Sequence, residues 1–145
     1  MKKIIIVSIL AAVGAFLWWT ISPLFIDVVL DDAMPTESES EILRNDVYEI
    51  TDTSTHPATG SVRVTTSESG STIRYENYNG TNGPDLKIYL TNDLDAADFI
   101  DLGRAQANQG NINYPVPEDV DVEDYRYVVT WCEAFGVLFD YAEIR

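Results

Sequence analysis

The stretch GSVRVTTSESGSTIRYENY, residues 60–78, decides the fold. Val62 and Val64 alternate with Arg63, and Ile73 and Tyr75 alternate with Arg74 and Glu76. A period of two places one set of side chains on a dry face and the other in water. Between the two runs, Ser67-Glu68-Ser69-Gly70 is a compact turn of small and polar residues, so the runs are expected to pair as an antiparallel hairpin.

The same grammar continues outward. Short β-branched and aromatic runs over 47–51, 60–66, 71–78, 86–91, 99–105, 125–132 and 136–144 alternate with Gly, Asn and Pro. No window in this region has helical periodicity. Seven short strands with frequent turns predict an all-β domain, an antiparallel β-sandwich or a flattened barrel, over residues 42–145. Leu86, Ile88 and Leu90 are expected in the core opposite Asp85, Lys87 and Tyr89. Both faces of the strand ending at Cys132 are mixed, which suits a central position.

Upstream, residues 31–41 read DDAMPTESESE, acidic and poor in apolar side chains, and are expected to form a solvated stalk. Residues 1–30 are read as an N-terminal transmembrane anchor. From Ile4 to Ile21 no residue is charged, and about 1.5 Å of rise per residue makes a helix of roughly 27 Å, close to a bilayer core. Trp18 and Trp19 suit the headgroup region, and Lys2 and Lys3 mark the cytoplasmic end. The expectation is therefore a single-pass protein of the cell membrane with its C-terminal domain outside the cytoplasm. A cleaved signal peptide is the competing reading, but its apolar run is usually shorter, about 7–15 residues, and ends in small residues, whereas Phe16 to Trp19 follow the small ones here. Past Pro23, LFIDVVL is left open as an extension of the helix.

Charge and cysteine narrow the function. The net charge is −15, and because Lys2 and Lys3 precede Ile21, the chain beyond it holds 7 basic and 24 acidic residues, a formal −17. Such a surface repels phosphate backbones, so no nucleic acid is expected as a partner. Cys132 is the single cysteine, which rules out an intramolecular disulfide.

Several segments together resemble one known family: His56 followed by Gly60, GPDLKIYL over 83–90, Leu102-Gly103, NQGNINY over 108–114, and VVTWCEAFGVLF over 128–139. They are similar to the DM-thirteen domain, a module associated with DOMON domains. The resemblance spans roughly Val47 to Ile144, and the joint occurrence of its pieces is specific where each alone is weak. It implies a β domain with a characteristic cysteine, matched by Cys132, and a role in redox or electron transfer. The sequence departs from the pattern at Phe139-Asp140-Tyr141-Ala142, where Phe-Gly followed by Ala is more usual, which leaves the last turn open.

Cys132 is therefore the candidate catalytic residue, as a redox thiol. Its sequence neighbours, Trp131 and Glu133, provide neither the cation nor the helix N-terminus that activates a thiolate, and a buried structural role competes. No cofactor is expected: C-x-x-C-H for haem is absent, and His56 alone is too few for blue copper or zinc. No Ser or Asp at motif spacing forms a triad with His56, and whether the protein is an enzyme at all is open. No metal site is assigned, since Asp93, Asp95, Asp98 and Asp101 lack the Gly and distal Glu of an EF-hand loop. The amide-rich 108–114 segment is expected to build a turn. The partners expected are the membrane and a redox or surface protein. The alternative is a non-enzymatic surface module that binds a partner protein, glycan or cation.

Overall fold

A computed structural model describes residues 2–22, 26–35 and 42–145, the side chains of 2, 19 and 20 excepted. Among the described residues ten strands form two five-stranded sheets, with no closed barrel. The first sheet holds β1 (Val29–Asp31), β8 (Gln109–Pro115), β5 (Gly70–Gly80), β4 (Ala58–Ser67) and β2 (Ile42–Glu49), in that order. The second holds β3 (Thr51–Asp52), β10 (Val137–Glu143), β9 (Tyr127–Cys132), β6 (Leu86–Thr91) and β7 (Phe99–Arg104). All pairings are antiparallel except β1 on β8, which is parallel.

The alternation that opened the sequence reading fixes the core. Val62, Val64, Ile73 and Tyr75 from one sheet pack with Ile88, Leu90, Val128 and Ala142 from the other, all of them buried. The hairpin forms with Ser67 opposite Gly70. Strand β9 is central, between β6 and β10, and Tyr89 is buried although alternation assigned it to the wet face. The reason is that aromatic Phe99, from the neighbouring edge strand, stacks on its ring at 4.0 Å.

Two expectations change. Strand β8 replaces the turn foreseen over the amide-rich segment, because Ile112 and Tyr114 alternate inward while Asn111 and Asn113 face a neighbouring segment. That neighbour is residues 26–33. The Asn108 amide is the clasp: Oδ1 accepts from Val28 N at 2.7 Å and Nδ2 donates to Asp27 Oδ1 at 2.8 Å. The Arg74 guanidinium, buried on the same sheet, donates to the carbonyls of Asp32 and Ala33. Asp31 to Ala33, the start of the expected stalk, thus lie against the domain, and 36–41 fall outside the described residues.

The N-terminal helix α1 (Lys2–Ile21) forms over the apolar run. Its reading as a transmembrane helix is not carried over: among the described residues no helix is long and apolar enough to cross a membrane. Ile4, Leu10 and Phe16 on this helix are exposed.

Candidate functional site

Cys132 ends β9, paired to Leu86 of β6 on one side and Val137 of β10 on the other. Val128, Thr130 and Cys132 share the inward face, and the thiol is 0% exposed. Its Sγ–H donates to the Pro84 carbonyl at 3.1 Å. Leu86 and Phe139 pack with it in a small apolar cluster, with Ala105 alongside.

Each residue of Gly83-Pro84-Asp85-Leu86 has a part in covering this sulfur. A Cβ on Gly83 would lie 2.8 Å from the Phe139 ring, so only glycine lets the loop close on that ring. Pro84 provides the acceptor. Asp85 turns the chain through a left-handed φ of +52°, and its carbonyl accepts from Glu133 N at 3.1 Å, tying the loop to the residue after the cysteine. Leu86 closes the apolar side. Outside this loop lies a cleft of about 90 Å³ lined by Asn82, Gly83, Asp85, Leu86, Arg104 and Ala105, with an exposed Arg104–Asp85 ion pair at its rim. Chemically, this is a protected thiol. A nucleophilic sulfur needs access as well as deprotonation, and this sulfur is enclosed.

His56 does not touch the sulfur directly; Phe139 stands between the two roles. The imidazole stacks on the Phe139 ring, centroids 3.7 Å apart and planes 12° from parallel. The Thr53 hydroxyl donates to the Phe139 carbonyl at 3.0 Å and lies 3.1 Å from His56 Nδ1, as does the Thr55 hydroxyl. His56 thereby fixes the backbone and ring that pack on Cys132.

A second constellation escaped the sequence reading. Asp140, 1% exposed, lies between the sheets and accepts from the Tyr78 hydroxyl at 2.7 Å and the Thr130 hydroxyl at 2.8 Å. With the Thr130 proton committed to Asp140, Thr130 accepts from the Tyr75 hydroxyl at 3.2 Å. Burial pushes the Asp140 carboxyl up to about 6 against the lowering effect of its two hydrogen bonds, and Asp52 raises it further. Burial and the Asp140 charge hold the Tyr75 and Tyr78 phenols well above their ordinary range.

Two signals bear on this network. Asp140 and Ala142 of β10 alternate inward, as does Ile144 just beyond it, so the period of two could have placed the carboxylate inside. Tyr78 was hidden by a bulge: Asn77 takes a left-handed φ of +49° and the β5–β8 register shifts between Tyr75 and Tyr78, which turns Tyr78 to the face of Tyr75. Gly60 permits it, since a Cβ there would lie 2.8 Å from the Glu76 carbonyl and 2.9 Å from Tyr78 Cα.

The acidic loop is structural. Asp93 Oδ1 accepts from the amides of Asp95 and Ala97, while Asp101 pairs with Lys87. Among the described residues no group of three ligands could hold a metal ion.

A family model described as Electron transfer DM13 matches residues 49–144. No curated protein and no solved structure matches the chain.

Proposed function

The chain belongs to the Electron transfer DM13 family, and from that premise we propose that its redox role is carried by Cys132 behind the Gly83–Leu86 loop. The observation that carries the reading is the hydrogen bond from Sγ to the Pro84 carbonyl, which makes the loop a cover for the sulfur. When the loop opens, Sγ loses its proton and attacks one sulfur of a partner's disulfide. The thiolate lone pair forms the new S–S bond, the electron pair of the old one leaves with the departing sulfur, and that sulfur takes up a proton; Cys132 is oxidised to the disulfide level as the departing sulfur is reduced to a thiol. A lone thiol makes the product an intermolecular mixed disulfide.

The site of action belongs to the same proposal. Helix α1 presents Ile4, Val7, Leu10 and Val13 exposed, and a bilayer is a medium that removes such a surface from water. The same reading places the domain outside the cytoplasm, with a redox or surface protein there as its partner, because Lys2 and Lys3 ahead of an uncharged apolar run are what an export signal needs.

The test uses the full chain and oxidised glutathione as the disulfide. The expected product is one glutathione adduct on the native protein, reversed by a reductant and absent in Cys132→Ser. A native protein that takes no adduct while its urea-unfolded form does would overturn the role of Cys132. That outcome favours a binding module that uses the loops of the sandwich.

A further inference from the structure

The thiol reading leaves the buried phenol–carboxylate pair unused. Tyr78 comes from one sheet and Asp140 from the other, so their 2.7 Å hydrogen bond crosses the interior of the sandwich. A phenol gives up an electron readily only when its proton leaves at the same time, because the phenol radical cation is a very strong acid. A carboxylate already accepting that proton is the arrangement such a step needs. Thr130, donating to the other carboxylate oxygen, and Tyr75, donating to Thr130, hold the acceptor in place.

A Cβ on Gly80 would lie 2.1 Å from the Tyr78 hydroxyl oxygen and 2.3 Å from Cζ, so the phenol packs directly against the Gly80 backbone. Gly80 is also part of a surface cleft of about 320 Å³ shared with Asp52, Pro57, Ala58, Asn79 and Thr81. The Gly80 backbone thus touches the phenol and is also part of the cleft lining. Asp52 in that cleft, on a domain with 24 acidic residues in its chain, favours a cationic visitor.

We propose that Tyr78 is a second, one-electron redox site, oxidised through the Gly80 cleft by a cationic metal oxidant, with Asp140 as the proton acceptor. The Tyr78 O–H bond breaks, the proton passes to Asp140 Oδ2 to give a carboxylic acid, and the electron reduces the metal by one unit. A neutral phenoxyl radical remains between the sheets, shielded from water. Re-reduction returns one electron to the ring and the proton from Asp140. The site is independent of Cys132 and does not require the thiol reading.

The experiment is flash oxidation of the full chain by photogenerated tris(bipyridine)ruthenium(III), followed by transient absorbance and by electron paramagnetic resonance of freeze-trapped samples. The expected result is a long-lived phenoxyl radical whose formation rate is insensitive to the concentration of buffer base, since the base is internal. Tyr78→Phe is expected to lose the long-lived signal, and Tyr75→Phe to keep it. Asp140→Asn is expected to slow the oxidation by about a hundred-fold or more, the usual contribution of a positioned base. An undiminished radical in Tyr78→Phe, or a wild-type rate that climbs with buffer base, overturns the proposal. The buffer measurement needs no variant and decides even where Asp140→Asn fails to fold. Cys132→Ser is expected to give the same Tyr78 radical, so the thiol and phenol readings fail separately.

Discussion

Asp140 is a carboxylate that the fold keeps without a cation, and its effect on stability has a definite sign. Its carboxyl titrates at about 6 when folded against an ordinary 3.8, so between those values the folded chain holds a proton that the unfolded chain has lost. Stability therefore falls as pH rises from about 4 to about 6 and is flat above. The shift corresponds to about 3 kcal/mol, from about 1.4 kcal/mol per unit. Urea titrations across this range should show wild type losing ground to Asp140→Asn as pH rises, and parallel pH profiles for the two would refute the ionised, buried carboxylate. Gly83 offers a second residue-level test. Gly83→Ala pushes a methyl against the Phe139 ring, with an expected loss of about 1–3 kcal/mol in unfolding free energy. It should also speed alkylation of Cys132 in the native state by loosening its cover, whereas unchanged midpoint and labelling would contradict the packing described for the loop. At this scale the sequence was half legible. Cys132 stood out as a single cysteine in a family motif, but its partner, a backbone carbonyl 48 residues away in sequence, leaves no trace in residue identity. Asp140 was hidden because a charged residue in a strand is read as facing water, and it falls in the segment where the chain departs from the family pattern.

The elements divide along the same line. Strands whose apolar residues alternate, such as β4 and β6, were legible because burial itself writes the period of two. Strand β8 was not, since Gln109, Gly110, Asn111 and Asn113 look like turn chemistry and their amides instead bind a segment far away in sequence. That segment is the stretch the sequence left open: Val29–Asp31 is an edge strand, and three residues adjoining a helical run carry too little pattern to separate from it. Gly110 makes the docking testable. Its φ is +110°, and a Cβ there would fall 1.9 Å from the Leu30 carbonyl oxygen. In Gly110→Ala the parallel strand is expected to detach while the sandwich stays folded. Hydrogen exchange should show the amides of Val28 and Asp32 losing protection, with Val128 still protected; retained protection at Val28 and Asp32 would contradict this account of β1.

For the whole molecule, the two-sheet sandwich followed from pattern, and the separation into sheets rather than a barrel did not, because strand count and alternation are common to both. The molecule joins a strongly acidic chain, net −15, to a helix with exposed apolar side chains. If α1 is what meets the bilayer, the full chain should float with phosphatidylcholine vesicles in low and high salt alike, since the attraction is apolar and not ionic. A chain carrying Leu10→Asp and Val13→Asp should stay behind, and flotation of that variant would exclude α1 as the contact. The central claim is that Cys132 is a covered thiol uncovered by a local opening of the Gly83–Leu86 loop. Its most direct test is the rate of Cys132 alkylation in increasing, sub-denaturing urea. The account predicts a rate faster than global unfolding and nearly independent of urea, because opening four residues exposes little surface. A rate that rises with urea in step with global unfolding would contradict it, and would make Cys132 a core residue and not a redox group.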